Sequence, residues 1–242
     1  MNHQKTVFIT GAGISVESGI QPFRGKNGLW NENPMDMATF AKFQSKPADF
    51  LTWYYHRFVS CKDAFPNEAH EILAQQKVKV ITQNIDNLHK KAEHPSESLI
   101  EIHGNIHYKR KINDTSINDL VIAHWEKLDE RNLEKELFRE FNIGSNGTIN
   151  SQKSFRPHIL LFDEYYTALY QYELAQDWIK QSDIIVFIGT SNSVGITATT
   201  LEIAYLNKKK IIVVDPNPSP SFVLPGIELF KQTAIEFCKH FF

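Results

Sequence analysis

The sequence predicts an α/β protein built on a parallel sheet with helices on both faces, and three observations carry that expectation. Four short runs rich in β-branched residues, at 6–10 (TVFIT), 78–82 (VKVIT), 183–188 (DIIVFI) and 210–214 (KIIVV), lack clean apolar/polar alternation. Each therefore reads as a strand buried on both faces. Helix-like stretches at 48–59, 67–75, 164–180 and 197–206 lie between them, and strands alternating with helices build covered parallel sheets. Finally, Gly11 and Gly13 follow directly on the first run, the position of the phosphate loop in a Rossmann-like nucleotide domain.

Taken in order, the first strand runs into Gly11-Ala12-Gly13-Ile14-Ser15. Glycines there let the backbone approach a phosphate, whose charge the N–H groups of a following helix can face. The ordinary dinucleotide fingerprint wants a third glycine, where Val16 stands, and an acidic residue ending the second strand. Neither is present, so the loop alone fits a tight turn without ligand equally well. The stretch 48–59 places Tyr54 and Arg57 three residues apart, on one helical face.

The second strand leads into Gln83, Asn84 and Asp86, at a strand end where open α/β sheets bind ligands. Asn84 or Asp86 equally suits a cap for a helix starting near Asn87. His103 precedes Gly104; an imidazole titrates near neutrality and suits a general base, although a lone histidine after a short apolar strand is more often structural. The alternation then breaks at about 106–154, with a charged helical patch at 126–140 and a turn at Gly144-Ser145-Asn146-Gly147. Lys109-Arg110-Lys111 and Glu134-Lys135-Glu136 read as solvated faces. Residues 105–155 are thus expected to form a small module inserted into a nucleotide-binding domain made of 1–104 and 156–242.

Composition sets the remaining bounds. A chain of 242 residues can bury one domain with an insertion, and 42% apolar with 22% charged residues is ordinary for a globular protein. A net charge of -2 argues against nucleic-acid or anionic-membrane partners. No apolar run approaches the length of a membrane span, and no secretory stretch opens the chain, so a cytoplasmic location is expected. Cys61 and Cys238 are the only cysteines, which argues against a disulfide framework. Nothing in the sequence marks the oligomeric state.

The longer string is far more specific than the glycines. Residues 11–20, followed by Pro22-Phe23-Arg24-Gly25 and Gly28-Leu29-Trp30, resemble the opening motif of the sirtuins, the NAD-dependent protein deacylases. Four further matches follow in order: 82–89 (TQNIDNLH), His103-Gly104, Arg156-Pro157-His158-Ile159 with Phe162-Asp163-Glu164, and Gly189-Thr190-Ser191. The resemblance implies NAD as cofactor, held by Gly11, Ala12, Gly13, Glu17, Phe23 and Arg24 from the first motif. It adds Gln83, Asn84, Asp86 and His103 from the second and third, then Gly189, Thr190, Ser191 and Asp215. Asn84 and Asp86 would line the nicotinamide pocket and His103 would be the catalytic base. The implied chemistry has the acyl-lysine oxygen attack the nicotinamide ribose, giving nicotinamide, O-acyl-ADP-ribose and free lysine.

Tyr54 and Arg57, with the small Ala38, resemble the sirtuin subclass that accepts succinyl or glutaryl groups, because a guanidinium and a phenol together suit a carboxylate. Phe162 would also meet the acyl-lysine partner. The pattern is broken in places. Most sirtuins hold a zinc ion with four cysteines after the histidine, whereas 105–154 contains none, and His107 and His124 are too few. No zinc is therefore expected. Asp163, Asp215 and Thr197 stand where glycine, asparagine and proline are usual in the family. An NAD glycohydrolase or ADP-ribosyltransferase on the same scaffold is the alternative reading, and an idle NAD-sensing module a third; the presence of His103, Asn84 and Asp86 argues against the last.

Overall fold

The structure, a computed structural model, describes residues 5–21, 34–192 and 195–242. Phe23 and Arg24 therefore lie outside the described residues. In chain order the strands are β1 (Thr6–Thr10), β2 (Lys79–Thr82), β3 (Leu99–Glu101), β4 (Gly104–Lys111), β5 (Val121–Ile122) and β6 (Phe155–Ile159), then β7 (Ile184–Ile188), β8 (Lys210–Val214) and β9 (Ile227–Phe230). The main helices are α1 (Pro34–Met37), α2 (Phe40–Ser45), α3 (Pro47–Cys61), α4 (Glu68–Gln75) and α5 (Leu88–Lys91), followed by α6 (Leu133–Glu140), α7 (Tyr172–Gln181), α8 (Gly195–Leu206) and α9 (Ala234–Phe241).

Six strands form one sheet in the order β3-β2-β1-β7-β8-β9, and all its pairings are parallel. In β1, Val7 and Ile9 pack with Ala175 and Ile179 of α7 and Leu201 and Ala204 of α8. Phe8, on the opposite side of the pleat, packs with Leu73 of α4 and Phe237 of α9. Burial on both faces is why the strand sequence shows no alternation.

A second, antiparallel sheet runs β5-β4-β6. Its core is shared with the helices before β2: Phe43, Phe50 and Phe58 meet Trp125, Phe141 and Ile159. Trp125 is buried, lies stacked on Phe58 at 5.9 Å, and donates its indole N–H to the Ile106 carbonyl at 2.7 Å.

Several local expectations change. In the Lys109–Lys111 run only Lys111 is exposed. Arg110 is buried, and Lys109 Nζ donates to both the carboxylate and the carbonyl of Glu140 at 2.7 Å while lying 5.0 Å from the Phe155 ring. The long stems pack on aromatic rings while their heads find acceptors. The charged patch at 126–140 is helical continuously only from Leu133, with 3-10 turns at Trp125–Lys127 and Glu130–Asn132 before it. The helix expected at 164–180 starts at Tyr172, because Gln171 takes a left-handed φ of 52°. Edge strands β3 and β9, three and four residues long, were too short to stand out. Among the described residues no helix is long and apolar enough to cross a membrane.

Trp125→Ala removes both the stack and the indole hydrogen bond from this second core. The expected cost is about 3–5 kcal/mol of unfolding free energy, measurable as a lower midpoint in urea denaturation.

Candidate active site

The strand order reverses between β1 and β7, and in open α/β sheets ligands bind beyond the carboxyl ends at such a switch point. Two loops meet there. Gly11 N–H donates to the Ile188 carbonyl at 3.0 Å and Gly13 N–H to the Gly189 carbonyl at 2.9 Å. A Cβ on Gly13 would fall 2.4 Å from Gly189 Cα, and one on Gly11 2.7 Å from Gly189 O. Gly189 itself has a φ of +60°. The glycines are thus required by contact between two stretches of protein backbone, a demand separate from phosphate approach. The chain after Gly11 winds as a 3-10 helix, Ala12–Ser18, rather than an α-helix.

These loops wall a cleft of about 870 Å³, within the size range of small-molecule sites. Gly11, Ala12, Gly13, Glu17, Gln83, Asn84, His103, Gly189, Thr190, Ser191 and Asp215 line it, and so do Ala38, Tyr54, Arg57 and Phe162. Asp86 does not. It lines an adjoining cavity of about 40 Å³ that shares Ala12, Arg57, Asn84 and Ile85 with the cleft. Glu17 also accepts from the Ile235 N–H at 3.3 Å, tying the loop to α9.

Asn84 and Asp86 are held by the first loop. Asn84 Nδ2 donates to the Gly11 carbonyl and to Ser15 Oγ, both at 3.1 Å. Ser15 Oγ in turn donates to Asp86 Oδ2 at 2.7 Å, while Asp86 Oδ1 accepts the Leu88 N–H at 3.0 Å. Asp86 therefore satisfies the first N–H of α5 from one residue before the N-cap Asn87, while its other oxygen faces Ser15. Burial pushes its carboxyl above the ordinary range, and the Leu88 and Ser15 hydrogen bonds oppose the shift. Ser15 stands out only in three dimensions, as the hinge between two motifs 71 residues apart.

His103 is positioned from two sides. Gly104, with φ +82°, turns the chain against β6 so closely that a Cβ would lie 2.1 Å from the His158 carbonyl. His103 Nδ1 lies 3.0 Å from the Gln83 carbonyl. A carbonyl only accepts, so Nδ1 carries the proton and Nε2 the lone pair. Burial lowers the imidazole to about 4, with the Gln83 hydrogen bond opposing. His103 is therefore neutral at pH 7, with a lone pair able to take a proton. Nε2 lies 3.0 Å from the Tyr166 hydroxyl, a neighbour with no signal in the sequence.

Also in the cleft wall, Tyr54 is buried with its ring 4.8 Å from Phe50. The Arg57 guanidinium lies 4.7 Å from the centre of the Trp53 ring. Desolvation lowers Arg57 from its ordinary value, opposed by Tyr54 and Cys61. The segment 160–164 is anchored by Arg156, which pairs with Glu164 and donates to the Ile159 carbonyl at 2.8 Å. Asp163 turns its carboxylate to the start of α2, accepting the Phe40 N–H at 2.7 Å and the Ala41 N–H at 3.0 Å. It satisfies helix donors that would otherwise lack partners, which accounts for an acid at this place.

A switch-point crevice with a neutral, oriented imidazole in its wall defines a nucleotide-dependent α/β enzyme. The chain belongs to the Sir2 family, which it matches over residues 11–195. It is 34% identical over 257 residues to the NAD-dependent deacetylase sir2E of Dictyostelium discoideum, covering 97% of this chain and 68% of that protein. It is 32% identical over 236 residues to an NAD-dependent protein deacylase of Bacteroides thetaiotaomicron, covering 95% and 93%. A solved Sir2 homologue mutant in complex with ADP-ribose superposes with a TM-score of 0.78 at 27% identity, over 97% of this chain and 89% of that one.

The cleft suits NAD. Gln83 Nε2 and Thr190 Oγ1, on residues that line it, are buried without a hydrogen-bond partner among the described residues, and a buried polar atom of this kind calls for one. The family's cysteine-held zinc does not fit. The two cysteines lie buried in α3 and α9, and no group of three or more His, Cys, Asp or Glu among the described residues could hold a metal ion.

Burial lowers His70 and His158 to about 3, as it lowers His103 to about 4. Each is neutral in the fold, whereas its unfolded counterpart takes up a proton near pH 6.5. Stability is then fully present above about pH 6.5 and is lost as pH falls toward the folded values. The melting temperature is expected to drop steadily from pH 6.5 to 4.5; a flat profile over that range would contradict the buried neutral imidazoles.

Proposed function

We propose that this chain is an NAD-dependent protein-lysine deacylase in which His103 is the base and the Tyr54–Arg57 end of the cleft favours acidic acyl groups. The observation that carries the reading is the His103 imidazole, fixed in one tautomer by the Gln83 carbonyl within the cleft formed by the Gly11–Gly13 and Gly189–Ser191 loops. Family membership and relatives named as deacylases support it.

Bound NAD supplies a labile bond between nicotinamide and ribose, and the residues supply position, dryness and a proton acceptor. The Gly11–Gly13 and Gly189–Ser191 backbones and Thr190 Oγ1 would hold the pyrophosphate and its neighbours. Asp215 would meet the adenosine ribose, Gln83 the second ribose, and Asn84 the nicotinamide end. Asp86 acts from behind, orienting Ser15 and through it Asn84. His103 Nε2, which carries the lone pair, would take up the proton of a ribose hydroxyl. The acyl-lysine partner enters past Phe162, with its acyl group toward Ala38, Tyr54 and Arg57.

Arg57 gives the acyl end its preference. A guanidinium removed from water beside a phenol gains most from a ligand carboxylate. Asp163 uses its carboxylate on the N–H groups of Phe40 and Ala41, and Glu164, which also lines the cleft, is paired with Arg156.

The deciding measurement is mass spectrometry of products from NAD with matched acetyl-, succinyl- and glutaryl-lysine peptides. O-acyl-ADP-ribose that forms only with peptide is the expected result; nicotinamide released equally well without peptide would instead mark an NAD glycohydrolase. His103→Ala should lower turnover at least about 100-fold, the usual scale of a general base. Arg57→Met should cost desuccinylation about tenfold or more, the worth of one charge-assisted contact, while sparing deacetylation; equal losses would refute the acidic-acyl preference.

A further inference from the structure

The chain that follows β6 lines the cleft through Leu160, Leu161, Phe162 and Glu164, and its first three N–H groups are all used. Leu160 donates to the His103 carbonyl, Leu161 to Glu164 Oε2 and Phe162 to the Ala38 carbonyl, each at 3.0 Å. The last of these bonds crosses to the turn between α1 and α2. Asp163 adds two more at the same place, where Oδ1 accepts the Phe40 N–H at 2.7 Å and Oδ2 the Ala41 N–H at 3.0 Å. Ala38 is buried, whereas Phe162 and Asp163 are exposed. The start of α2 has a cap of its own besides this acid, since Thr39 Oγ1 accepts the Lys42 N–H at 3.0 Å.

We infer that Asp163 is a positioning residue for the acyl-lysine substrate: its carboxylate latches residues 160–163 onto the α1–α2 turn and fixes the gap between Ala38 and Phe162. This rests on the acyl-lysine partner entering past Phe162. The Phe162–Ala38 bond is neutral and lies at an exposed residue, where water competes for both groups and the net gain is small. The two bonds to the Asp163 carboxylate are charge-assisted, and a negative charge beside the first N–H groups of a helix is favoured further. Asp163 therefore holds the gap at one width. Ala38 and Phe162 both line the cleft, so the wall that meets the substrate is set before the substrate arrives, and less ordering is left to binding. His103 is tied to the same segment by a different bond, from the Leu160 N–H, and Leu161 is held by Glu164, which Arg156 secures. Loss of the Asp163 carboxylate thus loosens the substrate wall and leaves the His103 side in place.

The test compares wild type with Asp163→Asn and Asp163→Ala, using NAD and an acyl-lysine peptide, and follows amide hydrogen exchange in the same three proteins without ligand. Asp163→Asn keeps the shape of the side chain with one acceptor oxygen; Asp163→Ala keeps neither oxygen. The latch predicts a peptide KM rising in the order Asp, Asn, Ala to about tenfold, with kcat and KM for NAD within about twofold. The Phe162 amide should exchange about tenfold faster in Asp163→Ala, while the Leu160 amide keeps its wild-type rate. A peptide KM unchanged in both variants overturns the positioning role and leaves the deacylase reading standing. Both KM values rising together, with the Phe162 and Leu160 amides loosened alike, also overturns it, because that pattern marks a general loss of stability. If the wild type turns over no acyl-lysine peptide, the deacylase reading itself fails and the positioning role with it. Should Asp163→Ala fail to fold, the isosteric Asp163→Asn decides alone: a wild-type peptide KM or a wild-type Phe162 exchange rate refutes the latch.

Discussion

The contact between Gly13 and Gly189 is the constraint on which the site depends. Two loops at the ends of adjacent parallel strands approach so closely that no side chain fits between them. A backbone hydrogen bond of 2.9 Å closes the gap. This contact brings the first and last nucleotide motifs, far apart in sequence, to one wall of one cleft. It also aims the carbonyl of Gly11 at Asn84, so the second motif is set by the first. A Cβ at Gly13 would displace backbone rather than a flexible side chain, and the error would be transmitted through Ser15 to Asp86.

From that wall the polar order continues inward through single bonds. Asn84, Ser15 and Asp86 form one chain; the Gln83 carbonyl, His103 and Tyr166 form another. Burial sets the charge state of each. It raises the Asp86 carboxyl and lowers the His103 imidazole, so His103 is a neutral base that becomes charged only by accepting a proton. In a low-dielectric site hydrogen bonds of this kind carry more weight than in water, and an unmatched partner costs more.

The small sheet is held by aromatic packing and by polar contacts gathered on one carboxylate. Trp125 fills the space between Phe58 and Phe141, and Glu140 gathers Lys109 and the His124 backbone N–H onto one carboxylate. Aromatic area gives most of the stabilisation, while a largely buried ion pair contributes chiefly to fixing geometry. The same core holds α3, and with it Tyr54 and Arg57 at the acyl end.

Much of this protein was legible in the chain. The four central strands, the glycine loops, the Gln83 motif and the His103-Gly104 pair could be read because burial on both faces and positive φ restrict residue choice locally. The edge strands and the true start of α7 could not, since three or four residues carry little periodicity and a left-handed Gln171 leaves no clear mark. The solvated reading of Lys109 and Arg110 failed for a related reason: whether a cation is exposed depends on which rings and acceptors fold over it. The sequence by itself determined the family, the cofactor class and the residues available for chemistry, because those rest on local backbone needs and ordered motifs. Only the tertiary structure decided that the paired glycines answer to each other, that Asp163 serves α2, and that Tyr166 meets the base. Each of those is a contact between segments far apart in the chain, and distance along the chain carries no information about it.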